Sequence, residues 1–129
     1  MRAMSMAYQL YYPWRKNPRL MQLIFTEAVS VADLESALTQ AAQLMEESQA
    51  ALHIVLGFST AESLPQEMVK YLPRAPIVGH PRCGYCVFVK PNEFISFAAK
   101  ILNHQTKTPI EFSPDEEDAW EFFNQMGIC

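Results

Sequence analysis

The 129-residue chain has only four glycines, Gly57, Gly79, Gly84 and Gly127, and none falls at the spacing of a phosphate-cradling or dinucleotide-binding loop. It also lacks a Gly-x-Ser-x-Gly elbow, a His-Glu-x-x-His motif and a compact carboxylate pair in an apolar setting, so the common local signatures of catalysis are missing. Its three cysteines, Cys83, Cys86 and Cys129, are too few and odd in number for a secreted disulfide framework, which makes a reducing compartment the expectation. No apolar run approaches the ~18 residues that a membrane helix needs. Met1 to Ala7 carries Arg2 but no apolar core of a signal peptide. These absences point to a cytoplasmic protein without membrane insertion, and lower the prospect of an enzyme.

What is present is an ordinary globular composition: 50% hydrophobic and 19% charged residues, well away from the composition of disordered chains. The length suits one domain with a real core. A formal charge of −4 argues against nonspecific nucleic-acid binding, although the charge is uneven. Arg2, Arg15, Lys16 and Arg19 precede the first acidic residue, Glu27, and Lys70, Arg74, Arg82 and Lys90 fall mid-chain. Asp115, Glu116, Glu117 and Asp118 form an acidic block that reads as a solvated helix start, where carboxylates complement the positive end of the helix dipole.

The punctuation of the chain predicts its element order. Tyr8 to Trp14 reads as an aromatic strand, Arg15-Lys16-Asn17-Pro18 as a turn, and Arg19 to Thr26 as a strand that is apolar on nearly both faces. Val31 to Glu47 reads as an amphipathic helix with Leu34, Ala37, Leu38, Ala41, Leu44 and Met45 on one stripe. Leu52 to Leu56 follows as a short strand bounded by Gly57, then a helix from Ser63 through Leu72 with Pro65 in its first turn. After the breakers Pro73, Pro76 and Pro81, Tyr85 to Val89 reads as a strand. Asn92 is expected to cap a helix whose Phe94, Ile95, Phe97, Ala98, Ile101 and Leu102 face inward. Pro109 to Phe112 is a last strand, and Ser113-Pro114 opens a last helix with Ala119, Trp120, Phe123 and Met126 facing inward until Gly127. Three helices carry capping-box spacing: Ser30 with Asp33, Ser63 with Gln66 and Ser113 with Glu116, the first with the shortest partner side chain. The expected fold class is therefore α/β: a mixed sheet of about five strands with four helices, in the order ββαβαβαβα. Residues 1–7 read as a flexible N-terminal tail and 8–129 as the domain.

Three constellations invite a functional reading. In His80-Pro81-Arg82-Cys83-Gly84-Tyr85-Cys86, Cys83 and Cys86 have the spacing of a redox or metal-binding pair, and Arg82 could favour a thiolate. The pair runs into a strand, whereas a thioredoxin-like pair opens a helix. A zinc site would need a fourth ligand beyond His80, Cys83 and Cys86, with His53, His104 or Cys129 as the remaining candidates. Incidental loop and core cysteines are the plainer reading, with no metal or cofactor expected. Ser59 and Thr60, in a strand-to-helix loop, are candidate phosphoacceptors or simple turn residues. Tyr8, Tyr11, Tyr12 and Trp14 could offer an exposed aromatic strand to a partner or ligand, or pack in the core.

The short first hairpin, the helix opening VSVADLESAL, the central strand LHIVLGFS and the ending PIEFSPDEEDAWEFF together resemble STAS-like domains over residues 8–127. They are similar in particular to small stand-alone bacterial proteins grouped with anti-sigma-factor antagonists. The resemblance implies a non-catalytic, regulatory module that docks on a protein partner, such as an anti-sigma factor or a kinase, with self-association left open. In phosphorylatable members a serine or threonine at the start of the second helix is modified, which by position falls at Ser59 or Thr60. Here Gly57-Phe58 precede the hydroxyls and Ala61 follows, where those members tend to have an acidic residue before and a glycine after. The alternatives are a thiol-active protein using Cys83 and Cys86 for redox or metal chemistry, and a binder of a small apolar ligand or lipid.

Overall fold

The structure is a computed structural model that describes residues 2–4, 7–63, 67–91, 93–105 and 108–128. It contains β1 (Arg2–Met4), β2 (Tyr8–Tyr11), β3 (Leu20–Ala28), α1 (Val31–Glu47), β4 (Leu52–Ser63) and a single-turn α2 (Met68–Tyr71) continued by a 3₁₀ turn. It continues with β5 (Cys83–Val89), α3 (Glu93–Gln105), β6 (Ile110–Ser113) and α4 (Glu116–Gln125). The strands form one mixed sheet in the spatial order β1-β2-β3-β4-β5-β6. The β1/β2 and β2/β3 pairs are antiparallel; β3/β4, β4/β5 and β5/β6 are parallel. The α/β class and mixed sheet follow the sequence reading, with one strand more: Arg2–Met4, which that reading placed in the tail, pairs with β2.

The topology decides where the helices go. Parallel strands joined by crossovers are almost always connected right-handedly, so strands that step steadily in one direction put all their crossover helices on one face. That face is the main core, where Met21, Leu23 and Phe25 of β3, Leu52, Ile54 and Leu56 of β4, and Cys86 and Phe88 of β5 meet α1, α2 and α3. The other face is left to α4, the one long helix outside a crossover. There Leu20, Val55, Val87 and Val89 pack on Ala119 and Phe123, with Trp14 and Ile128 closing the cluster. Alternation along β3 and β4 thus feeds two cores, which explains why β3 is apolar on nearly both faces.

Helix α1 forms as its periodicity predicts. Leu34, Ala37, Leu38, Ala41, Leu44 and Met45 are all buried, and each large side chain contributes roughly 1.5–3 kcal/mol before ordering costs. Its Ser30–Asp33 box is complete: Ser30 Oγ accepts from the Asp33 N–H at 3.1 Å, and Asp33 Oδ2 accepts from the Ser30 N–H at 2.9 Å. The box with the shortest partner is therefore fully formed. Beside this stripe, Gln40 Nε2 donates to Tyr8 Oη at 2.7 Å, which ties β2 to the helix.

Four local expectations are corrected. Gly57 does not end the third predicted strand: β4 continues to Ser63, pairing Thr60 with Thr26 and Ser63 with Ala28. Among the described residues the helix expected from Ser63 is one turn at Met68–Tyr71, with Glu67 at its N-cap making no side-chain cap; Pro65, Gln66 and the cap Asn92 lie outside the described residues. The last helix is capped two residues later than expected. Asp115 Oδ1 accepts from the Asp118 N–H at 2.8 Å, while Ser113 Oγ donates to the Asp115 carbonyl. Finally, α3 buries Ile95, Ala98, Ala99 and Leu102, an i, i+3, i+4, i+7 stripe that puts Phe97 on the far side at 63% exposure. Met126, at the C-cap of α4, is exposed likewise.

Candidate functional site

The local geometry departs most from regular structure at the start of β5. Leu52 of β4 pairs with Cys83, and Ile54 pairs with Cys86, so Gly84 and Tyr85 together stand opposite the single residue His53. This is a β-bulge, an uncommon device between parallel strands. In a regular strand, residues i and i+3 point to opposite faces, which would separate the two cysteines. The extra residue reverses the parity between them, and both sulfurs meet on one side of the strand, 3.6 Å apart.

His53 is the counterpart of the bulge. Its ring occupies the space above Gly84, where a Cβ would lie 2.2 Å from Nδ1, so position 84 has no room for a side chain. The Tyr85 N–H donates to His53 Nδ1 at 2.9 Å. That bond leaves the imidazole proton on Nε2, which is buried and has no partner among the described residues. The ring lies between Tyr85 and Phe123, with centroids 5.6 and 5.7 Å away. Burial, followed by the positive charge of Arg19, lowers its pKa to about 4. His53 is thus a neutral packing element.

The two thiols differ in their surroundings. Cys83 is partly exposed and Cys86 is buried. The hydrogen bond between the two sulfurs holds the Cys83 pKa below the ordinary thiol value, against the effect of burial. Cys86 is raised in turn, by the same bond, by burial and by the Cys83 charge. Beside Cys83 opens a cleft of about 280 Å³ lined by Gly79, His80, Pro81, Cys83 and Thr108. His80 is committed elsewhere: Nδ1 accepts from the Arg82 N–H at 3.0 Å, and Nε2 lies 2.8 Å from Glu46 Oε1. Among the described residues no group of three or more His, Cys, Asp and Glu is placed to hold a metal. Behind Cys86 lies an apolar cavity of about 20 Å³, bordered by Leu38, Leu56, Leu102 and Ile110, which has room for about one water and none for a lipid.

The other candidates are placed differently from the sequence reading. Ser59 and Thr60 lie within β4, not in a loop. Phe58 and Ser59 together oppose Phe25, because the register shifts between Ile24–Gly57 and Thr26–Thr60. Of the aromatic strand, Tyr8 is buried against α1 and Trp14 packs edge-on to Trp120 at 5.6 Å, so these rings serve the core. Arg15 lies over both indoles, 4.8 Å from Trp14 and 4.9 Å from Trp120, and pairs with Glu117. The basic hairpin and the acidic helix start therefore meet each other. Gly84 is the residue that sequence reasoning missed; a glycine between two cysteines at a strand start is the available signal for a bulge.

A crystal structure of an uncharacterized DUF3478-family protein from Shewanella loihica PV-4, with a SpoIIAA-like fold, superposes with a TM-score of 0.63 at 11% identity. The match covers 95% of this chain and 98% of that one. The fold here is SpoIIAA-like. A chain in the structure of diguanylate cyclase SiaD in complex with its activator SiaC from Pseudomonas aeruginosa gives a TM-score of 0.45 at 11% identity, over 87% of this chain and 97% of that one. No protein-family model and no curated protein sequence matches the chain. The SpoIIAA-like, or STAS-like, sheet is the architecture that the sequence resemblance implied. Among the described residues no helix is long and apolar enough to cross a membrane.

Proposed function

We propose that this chain is a non-catalytic regulatory module of the cytoplasm that works by docking on a protein partner. The observation that carries the reading is the SpoIIAA-like fold, together with apolar surface beside one edge of its sheet. Among the described residues strand β6 pairs with β5 only, so its outer edge offers backbone groups to another chain. Phe112 on β6 is 42% exposed, and α3, which packs on β6, carries the exposed Phe97. Large exposed aromatic residues are what a docking surface needs and what an isolated domain tends to hide. Partners of the anti-sigma-factor or kinase type suit the reading, and Ser59 or Thr60 is the hydroxyl whose phosphorylation would modulate docking.

The test is affinity capture from the native host with wild type, Phe97→Glu, Phe112→Glu and Ser59→Asp, followed by calorimetric titration of the purified partner. A saturable partner whose affinity falls at least about tenfold, or roughly 1.4 kcal/mol, in a folded Phe112→Glu or Phe97→Glu protein supports the proposal. Capture of the same proteins as an unrelated control domain, for every variant, overturns it.

A further inference from the structure

The geometry points to a second property, independent of docking: Cys83 and Cys86 are a redox-active pair that closes reversibly into an intrastrand disulfide by exchange with a low-molecular-weight disulfide. Three observations carry this. The bulge at Gly84–Tyr85 brings to 3.6 Å two sulfurs that a regular strand would hold on opposite faces. Closing them to a bond of about 2.05 Å requires the two sulfurs to approach by roughly a further 1.5 Å. The cleft of about 280 Å³ ends at Cys83 and not at Cys86, which sets the order of events. The third observation is the asymmetry of the pair: Cys83 is partly exposed and Cys86 buried, and the hydrogen bond between them lowers the Cys83 pKa while raising that of Cys86.

The exchange balances as follows. The Cys83 thiolate attacks one sulfur of the small disulfide in the cleft, forming a mixed disulfide and expelling a thiolate that takes a proton from water. Cys86 then gives its proton to water and attacks Cys83 Sγ, forming the intrastrand bond and expelling the second small thiolate, which is protonated in turn. The protein dithiol loses two electrons and two protons, and the small disulfide is reduced to two thiols. The small cavity behind Cys86 gives its sulfur room to move. In the reverse direction a small thiol enters the same cleft and attacks Cys83. The cleft and the partly exposed thiol thus form a thiolation site for glutathione-like molecules, with Cys86 as the resolving residue.

The test uses the full chain carrying Cys129→Ser, so that the thiol count refers to this pair, equilibrated in reduced and oxidised glutathione at graded ratios and read by alkylation and mass spectrometry. The expected result is a single reversible two-electron transition in which both thiols disappear together, with no intermolecular disulfide and no lasting adduct. Cys86→Ala should stop at a stable glutathione adduct on Cys83, and Cys83→Ala should form neither adduct nor internal disulfide. In the reduced protein, alkylation should be at least about tenfold faster at Cys83 than at Cys86. Circular dichroism of each variant establishes that it is folded. Two free thiols throughout the series, a lasting adduct with both cysteines present, or adduct formation on Cys86 instead of Cys83 would each overturn the proposal.

Discussion

Gly84 is held side-chain-free by His53, whose Nδ1 would stand 2.2 Å from a Cβ at position 84 while accepting the N–H of Tyr85 at 2.9 Å. The same contact lets the strand bulge and so brings Cys83 and Cys86 to one face. Packing at His53 and the chemistry of the thiols are therefore linked through one glycine.

Gly84→Ala should be among the costly single-methyl substitutions in the chain. The added carbon must displace an imidazole buried between Tyr85 and Phe123, an overpacking cost of about 2–3 kcal/mol. Urea denaturation of Gly84→Ala, His53→Ala and the double variant measures this. In the His53→Ala background the same substitution should cost less than about 1 kcal/mol, because the obstructing ring is gone. An equal cost in both backgrounds would locate the strain elsewhere.

Acid should weaken the fold through His53. Its pKa is about 4 in the folded protein, against 6.5 ordinarily, because burial and then Arg19 disfavour the cation. Between these values the unfolded chain binds a proton that the folded chain refuses, so unfolding is favoured as pH falls. The contribution of His53 is intact above about pH 6.5, is lost progressively down to about pH 4, and changes no further once both states are protonated. Chemical denaturation at a series of pH values, compared with His53→Gln, isolates this effect. The variant should show a shallower decline across that window, and matching slopes would count against His53 as the source.

The elements that the sequence made legible are those whose signal is local and periodic. Leu34 to Met45 repeat every three to four residues, and α1 forms with that stripe buried. The alternation of strands and helices likewise led to the SpoIIAA-like sheet. What stayed hidden depends on which neighbours a residue meets. Phe97 looks like core by composition, yet Ile95, Ala98 and Leu102 take the inner face of α3 and leave it outside. Gly57 looks like a strand end, yet β3 is long enough to keep pairing with β4 as far as Ser63. Cys83 and Cys86 carried a spacing but no parity, since only the pairing with Leu52 and Ile54 reveals the bulge.

The hairpin clamp should depend on the body of Arg15 more than on its charge pair. The guanidinium lies over Trp14 and Trp120, and each cation–π contact contributes about 0.5–1 kcal/mol at an exposed site. The partner Glu117 is exposed, where an ion pair contributes about 0–1 kcal/mol. Arg15→Ala should therefore cost about 1–2 kcal/mol, and Glu117→Gln less than about 0.5 kcal/mol. Thermal denaturation at low and high salt checks the division. Salt should erase the Glu117 effect and leave most of the Arg15 effect, whereas equal losses for the two variants would make the ion pair the main link.

Helix capping offers the sharpest contrast between serines that look alike in sequence. Ser30 accepts the Asp33 N–H and closes a reciprocal box, so Ser30→Ala should cost about 1 kcal/mol. Ser113 has the same spacing from Glu116, but its hydroxyl is a donor to the Asp115 carbonyl and satisfies no helix N–H. That task belongs to Asp115, whose carboxylate accepts from Asp118 and also faces the positive end of the α4 dipole. Asp115→Ala should accordingly cost about 1 kcal/mol or more, and Asp115→Asn only a few tenths, since the amide oxygen keeps the cap. Ser113→Ala should cost less than about half of the Asp115→Ala loss. Denaturant midpoints for the four variants decide the matter: a Ser113 loss as large as that of Asp115 would mean that α4 is capped where its sequence suggested.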